Sequence, residues 1–207
     1  AVADAPSKGN DEGIFGYGQV YPTLMSFTNL VSNSGVVSTD VTGVGTAREL
    51  LAATEYGGDK GIFGYGKAGP SVSMTNLVSN AGVVATDTTG VGTARRELAA
   101  CGYGGDKGIF GFGDTGSRVS MTNLVSNAGV VATDTTGVGT SRDYLGACEF
   151  GDDKGIFGFG NTGSVTGVTN LVSNAGVVAA DVAAVGTARQ YIAACGYGYD
   201  KGIFGYG

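Results

Sequence analysis

The phrase Gly-Ile-Phe-Gly recurs five times along the chain and sets its periodicity. It begins at Gly13, Gly61, Gly108, Gly155 and Gly202, giving steps of 48, 47, 47 and 47 residues. Self-similarity at a fixed period of about 20–50 residues indicates a repeat architecture in which each unit packs on its neighbours. We therefore interpret residues 1–207 as one domain, with units at about 1–46, 47–93, 94–140 and 141–187 and a partial unit at 188–207.

Each unit divides into four short segments bounded by turn residues. In the third unit they are RRELAACGYG from Arg95, KGIFGFG from Lys107, VSMTNLVSN from Val119 and GVVATDT from Gly129. Gly-Gly-Asp joins the first two segments and Ser-Asn-Ala-Gly joins the last two, and such residues tolerate the positive φ of tight reversals. Glycine and β-branched residues fill every window, which disfavours helix. The sequence predicts an all-β chain with four consecutive antiparallel strands per unit.

Four antiparallel strands in a repeat of about 40–50 residues are typical of a β-propeller blade. Neighbouring blades cover both faces of each sheet, so the strands should be apolar at successive positions, as LAAC and GIFGF are. Phe110 and Phe112 would fill the space between blades. The small residues that would let neighbouring sheets converge are Ala99, Ala100, Gly111 and Gly113.

The residues from Arg95 to Gly113, RRELAACGYGGDKGIFGFG, resemble the first two strands of a kelch repeat. In that family an arginine precedes the inner strand, and a short turn leads to an apolar second strand that ends in glycine. The resemblance covers four units and part of a fifth, and it implies a kelch-like β-propeller of about five four-stranded blades whose last blade is incomplete. A four-bladed propeller and a β-solenoid are the alternatives. Residues 3–15 align without a gap to residues 98–110, so a degenerate first strand is predicted within residues 1–12.

The segment TNLVSNAGVVATDTTGVGTAR, residues 75–95, is similar to repeats of marine bacteriophage virion proteins. This second resemblance implies a tail or capsid appendage, and hence a virion or extracellular location.

Two segments differ between the copies, whereas TNLVSN, GVV and GTAR hardly change. The link after the second strand reads QVYPTLMS, KAGPSVS, DTGSRVS and NTGSVTG, and the residues after the repeated arginine read EL, RE, DY and QY. Successive strands reverse direction, so both segments should emerge on one face, where a rigid scaffold commonly carries recognition loops. Neutral drift of exposed loops is the alternative. The predicted ligand-binding face comprises Lys67, Asp114, Arg118 and Asn161 on one set of loops, with Glu49, Arg96, Asp143, Tyr144, Gln190 and Tyr191 nearer the axis.

Other polar residues recur in every unit and are interpreted as scaffold. An arginine and an aspartate eight residues before it are predicted to form a pair that closes each blade, rather than a ring of anion-binding arginines. An Asp-Lys step in the tight hairpin is interpreted as turn chemistry, and only GDDK at 151–154 comes near a calcium loop, so no metal site is predicted. The pairs are drawn from Arg48, Arg95, Arg142 and Arg189 with Asp40, Asp87, Asp134 and Asp181, and the turns from Asp59, Asp106, Asp153 and Asp200 with Lys60, Lys107, Lys154 and Lys201.

Composition excludes several classes of function. The chain has no histidine, which removes the usual general base and most zinc sites, so neither an enzyme nor a cofactor is predicted. The net charge is −6 with no basic run, which argues against nucleic-acid partners. No run of about eighteen apolar residues and no signal-peptide plan at the N-terminus are present, so no membrane insertion is predicted. Cys101, Cys148 and Cys195 occupy one repeated slot and are interpreted as buried thiols, neither disulfide-bonded nor zinc-bound.

These patterns lead to two hypotheses about function. The first is a non-catalytic recognition or attachment module that presents the loops of one propeller face to a protein or glycan. The second is a structural subunit that packs as a homo-oligomer or within a larger assembly, such as a phage tail or capsid appendage.

Overall fold

A computed structural model describes residues 11–198 and 200–207 of the chain. Thirteen β-strands form all the regular secondary structure in these residues, so the prediction of an all-β chain is confirmed. None of the described residues belongs to a helix that could cross a membrane. Most of the degenerate first strand predicted within residues 1–12 lies outside the described residues.

The strands form five small antiparallel sheets, numbered here in chain order. Sheet 1 contains β1 (Gly13–Val20) and β2 (Thr23–Val31). Sheet 2 contains β3 (Ala52–Tyr56), β4 (Lys60–Gly64) and β5 (Thr75–Val78). Sheet 3 contains β6 (Ala99–Tyr103), β7 (Lys107–Gly111) and β8 (Thr122–Val125). Sheet 4 contains β9 (Gly146–Phe150), β10 (Lys154–Gly158) and β11 (Thr169–Val172), and sheet 5 contains β12 (Ala193–Tyr197) and β13 (Lys201–Gly205).

The fourth predicted segment of each unit lies beside the third strand but forms only isolated bridges. In sheet 3 the bridges join Val125 to Val131 and Thr122 to Thr135. Between them, the amide of Ala132 donates to the carbonyl oxygen of Leu124 at 2.8 Å. Each of sheets 2 to 4 therefore has three regular strands and a bridged edge segment, where the sequence predicted four strands.

Neighbouring sheets pack face to face through a phenylalanine that lies on a glycine. A methyl group added to Gly111 would lie only 2.6 Å from Cζ of Phe157 in the next sheet. The same contact joins Gly16 to Phe63, Gly64 to Phe110 and Gly158 to Phe204. The predicted role of Gly111 is confirmed, because a side chain at this strand position would occupy the space that the neighbouring ring fills. Phe110 and Phe112 are both fully buried, as predicted.

Two residues after the phenylalanine of each Gly-Ile-Phe-Gly phrase, an aromatic residue adopts a left-handed backbone conformation. The residues are Tyr17, Tyr65, Phe112, Phe159 and Tyr206, with φ between 63° and 65°. This conformation is costly for a bulky side chain, so the surroundings must hold it. In the third sheet the guanidinium carbon of Arg142 lies 4.1 Å above the Phe112 ring, a cation–π arrangement that recurs at the other repeated arginines.

Three of the four repeated arginines are buried parts of the scaffold. Arg142 has no exposed surface, and its Nε donates to the carbonyl oxygen of Phe159 at 2.9 Å. Its Nη1 donates to the carbonyl oxygen of Thr140 at 3.1 Å and its Nη2 to Oδ1 of Asn170 at 2.6 Å. Arg48 and Arg95 are equally buried and repeat the Nε bond. A planar group with fixed donors therefore joins the start of a unit to its second and third strands.

An aspartate approaches each of the three buried arginines, but it is not the one eight residues before the arginine. Nη1 of Arg95 lies 3.9 Å from Oδ1 of Asp134, which is 39 residues later, and Arg48 and Arg142 are 4.0 Å from the equivalent carboxylates, Asp87 and Asp181. Each arginine precedes the first strand of its own unit, so its spatial neighbour is the aspartate at the end of that unit. The pair does join the two ends of a unit, but the predicted pairing in sequence was wrong.

The aspartates of these pairs have lowered pKa values. Burial alone raises the pKa of Asp134, but hydrogen bonds from Thr93 and Asn123, with the charge of Arg95, outweigh it and bring the pKa below its usual range. Asp87 and Asp181 are held in the same way. A carboxyl with a lowered pKa in the folded state stabilises the fold above its unfolded value of about 3.9, and this contribution is lost as the pH falls through the folded value.

We expect the free energy of unfolding to decline below about pH 4 and the variant Asp134→Asn to make that decline shallower. Urea denaturation at a series of pH values measures both. Asp106→Asn is the comparison, because the Asp106 carboxyl also has a lowered pKa but lies at the surface of the hairpin beside Lys107, where solvent screening makes its contribution smaller. Equal slopes for the two variants would contradict the role given to Asp134.

The three cysteines are free, but they are not equally buried. Cys101 and Cys148 are buried because Gly155 and Gly202 of the following sheet pack on their sulfur atoms. Cys195 is exposed, so the prediction of a buried thiol was wrong at this position. In the described chain, Cys195 lies on the last sheet, with no sheet packed beyond it.

Candidate functional site

The two variable segments of each unit lie side by side. Arg96 and Asp114 exchange backbone hydrogen bonds of 3.0 and 2.8 Å, and Asp143 and Asn161 exchange bonds of 3.1 and 2.9 Å. The pair Glu49 and Lys67 does the same in the second unit, with bonds of 3.0 and 2.8 Å. The residues that differ between copies are therefore brought together in a strip, which we call the loop strip.

Local turn chemistry fixes the shape of the loops after the second strand. Oδ1 of Asp114 accepts a hydrogen bond from the amide of Gly116 at 2.9 Å, and Oδ1 of Asn161 accepts one from Gly163 at 2.7 Å. These are Asx turns, and both glycines have positive φ. The loops are positioned by their own side chains as well as by the sheets.

A column of equivalent residues runs along the loop strip from unit to unit. The amide of Glu97 donates to the carbonyl oxygen of Leu50, that of Tyr144 to Glu97 and that of Tyr191 to Tyr144, each at 3.0 Å. All four residues have φ between 52° and 58°. The sequence predicted Tyr144 and Tyr191 as site residues but missed Leu50 and Glu97, although both belong to the variable pairs EL and RE that follow the arginine.

Nearly every charge of the loop strip has an opposite charge beside it. Nη2 of Arg96 lies 2.8 Å from Oδ1 of Asp114, and its Nε lies 3.0 Å from Oε1 of Glu97. Nε of Arg118 reaches into the next unit, 3.0 Å from Oδ2 of Asp143. The remaining polar contacts are Lys67 with Glu49 at 3.8 Å and Asn161 with Gln190 at 2.5 Å. Paired charges leave little net field for attracting a charged ligand.

The loop strip ends in an aromatic pair beside a buried carboxylate. The Tyr144 and Tyr191 rings have centroids 4.2 Å apart at an interplanar angle of 45°, and the Tyr191 side chain is 64% exposed. The neighbouring Asp143 is buried, and no described group donates a hydrogen bond to its Oδ1. Burial raises the pKa of Asp143, and burial together with bonds to Glu97 and Tyr191 raises that of Tyr144. The end of the strip thus presents an exposed aromatic ring, whereas the unpaired oxygen of Asp143 is enclosed beneath the surface.

A separate open cavity of about 460 Å³ lies along the first strands of sheets 2 to 5. Its lining includes Thr54, Cys101, Cys148 and Cys195, the four members of one repeated slot. Burial raises the pKa of the Cys148 thiol to about 11, so this thiol is protonated at neutral pH and unreactive. Within the described part of the chain, no three His, Cys, Asp or Glu side chains are grouped as metal ligands.

Comparisons with known proteins give no assignment for the site, because the chain matches no protein-family model and no curated protein.

Proposed function

We propose that the five sheets are blades of a kelch-like β-propeller. The proposal is supported by the shared cavity, since first strands that surround one axis would line a common space. It is also supported by sheets 3 and 4, each of which is covered by a neighbour on both faces. Phe15 of sheet 1 is 65% exposed, so this sheet does not pack on sheet 5 as inner neighbours pack, and a complete ring needs further blades. A β-solenoid is the alternative, because the backbone bonds between equivalent residues also suit a linear stack.

On this scaffold the loop strip acts as a non-catalytic recognition surface, and its ligand is a glycan. The observation that carries this proposal is the tyrosine pair at the end of the strip, in which Tyr191 is largely exposed. An exposed tyrosine ring offers an apolar face and a polar edge, which suits the C–H face and hydroxyl groups of a sugar. The paired charges favour a neutral ligand over an anionic one.

We expect the isolated chain to bind members of a glycan array and Tyr191→Ala to reduce that binding at least tenfold, which corresponds to losing one stacked aromatic contact of about 1.4 kcal/mol. Tyr191→Phe should keep most of the affinity, because the ring face remains. Val83→Ala is the control, since Val83 is equally exposed but lies in a turn outside the strip. Binding that survives Tyr191→Ala, or no binding to any glycan, would refute the proposal.

The second hypothesis, a structural subunit of a larger assembly such as a phage appendage, stays a prediction. Recovery of the chain at fixed stoichiometry in purified particles, without glycan binding, would favour it.

A further inference from the structure

Neighbouring sheets are joined by a contact between a phenylalanine and a glycine. Each of the two end sheets, sheet 1 and sheet 5, presents one of these two residues without its partner. In each internal contact, the phenylalanine of one sheet lies on the glycine of the sheet before it. Sheet 1 has the phenylalanine without the glycine, since Phe15 is 65% exposed whereas Phe110 and Phe157 are fully buried. Sheet 5 has the glycine without the phenylalanine, since no atom of the described residues lies within 4 Å of a β-carbon placed on Gly205.

Other positions on the outer face of sheet 5 are unpaired in the same way. Tyr206 is 93% exposed, whereas its counterparts Tyr65 and Phe112 are fully buried. Ile203 is also largely exposed, and its counterpart Ile109 is buried against the following sheet. This apolar face therefore has the composition of an internal interface with no sheet packed on it.

A second repeated contact is also left open at the two ends. A β-carbon on Gly155 would lie 2.6 Å from Sγ of Cys101, and one on Gly202 would lie 2.5 Å from Sγ of Cys148. The next thiol in this series, Cys195, is exposed on sheet 5. The glycine that begins the series, Gly13 of sheet 1, contacts no thiol.

We propose that a second copy of this chain docks sheet 1 onto sheet 5, so that Phe15 of one copy covers Gly205 of the other. The occupant is argued from continuity, because the joint reproduces an interface that the chain already forms between every pair of neighbouring sheets. The contact is heterologous, and successive copies add in one direction to form open or ring-shaped oligomers. Sheets 1 and 5 have two described strands each, so this joint is smaller than the inner ones and forms reversibly with concentration. The assembly does not depend on the proposed glycan site.

Two variants with one damaged end each test the proposal by complementation. Phe15→Ala removes the ring, and Gly205→Val occupies the position that the ring would contact, where an added β-carbon has no described atom within 4 Å in a single copy. In sedimentation velocity, we expect the average mass of the wild-type protein to rise above that of a monomer as its concentration increases. Each variant alone should remain monomeric. Mixed in equal amounts, the variants retain one intact pair of ends and should form a species of two chains. Val130→Ala, at an equally exposed residue in the loop after β8, should assemble like the wild type.

A cross-link gives a second readout that does not depend on the stability of those variants. Gly13→Cys places a thiol where the docked copy presents Cys195, within the reach of a disulfide. Under oxidation we expect a ladder of multiples on non-reducing electrophoresis, and none when Cys195→Ser is added. Any of three results would overturn the proposal. They are a wild-type protein that stays monomeric, a mixture of the two variants that forms no dimer, and a disulfide that forms only within one chain.

Discussion

Replacing Arg142 by alanine is expected to lower the free energy of unfolding by about 3–5 kcal/mol, which is a large share of the stability of a domain. The substitution leaves the carbonyl oxygen of Phe159 and Oδ1 of Asn170 without their buried donor. It also removes the guanidinium from the Phe112 ring and opens a cavity in a site with no exposed surface. Arg142→Lys should recover only a small part of the loss, because an ammonium group cannot reach the three acceptors in one plane.

The matched control is Arg189→Ala, at the same position in the last unit. Arg189 lies 4.8 Å above the Phe159 ring, but its Nε has no hydrogen-bond partner among the described residues. We therefore expect a loss of about 1 kcal/mol or less. Urea denaturation in dilute solution compares the two variants, with circular dichroism and tyrosine fluorescence as separate probes, because repeat arrays can unfold in more than one step. A loss at Arg142 no larger than that at Arg189 would contradict the scaffold role.

Much of the fold is predictable from the sequence because the same turn residues mark the ends of the strands in every repeat. The Gly-Gly-Asp and Ser-Asn-Ala-Gly turns separate apolar segments, and the observed hairpin of β6 and β7 follows directly from them. The role of the last glycine in Gly-Ile-Phe-Gly is also predictable. Glycine in an otherwise apolar strand indicates a position where another group packs closely against the backbone. The number of regular strands is less predictable, because the Asp134 side chain in the fourth segment accepts hydrogen bonds from Thr93 and Asn123, and the segment keeps only isolated bridges to its neighbour.

The contacts that sequence reasoning missed depend on which units meet in space. The eight-residue spacing from Asp87 to Arg95 invited a local pair, yet the chain enters a new sheet between them and the true partner is 39 residues away. Cys195 repeats the sequence of Cys101 but not its burial, because burial belongs to the neighbouring sheet and not to the residue.

The candidate site was predictable in location but not in chemistry. Variation between copies pointed to the loop strip, and the structure places those segments in contact. The left-handed conformation of Leu50 and Glu97 could not be read from residue type, since neither residue favours it. The pairing of Arg118 with Asp143 crosses two units, so no pattern within one unit could reveal it.

Adding one methyl group at Gly111 is expected to destabilise the fold by about 1–3 kcal/mol. In Gly111→Ala the new carbon would lie 2.6 Å from Cζ of Phe157 and within 3.1 Å of two further ring carbons. Since Phe157 is fully buried, the ring has no free space to move into, and the two sheets must separate instead. The backbone of Gly111 is ordinary β-strand, so the loss reports packing rather than φ.

The control for this prediction is Gly205→Ala, at the equivalent strand position of sheet 5. Among the described residues, no atom lies within 4 Å of the added carbon there. Only the backbone entropy of the unfolded chain therefore changes, and we expect no loss or a gain of about 0.5 kcal/mol. Both variants are compared by thermal and urea unfolding in dilute solution, where the end sheets are not covered by another copy. If Gly111→Ala and Gly205→Ala unfold alike, the ring of Phe157 must have an alternative position. The glycine would then reflect strand propensity and not the spacing between sheets. If they differ as expected, the same methyl group has no effect on stability where no ring packs on the glycine and lowers stability where one does. The contact between phenylalanine and glycine then sets the distance between neighbouring sheets.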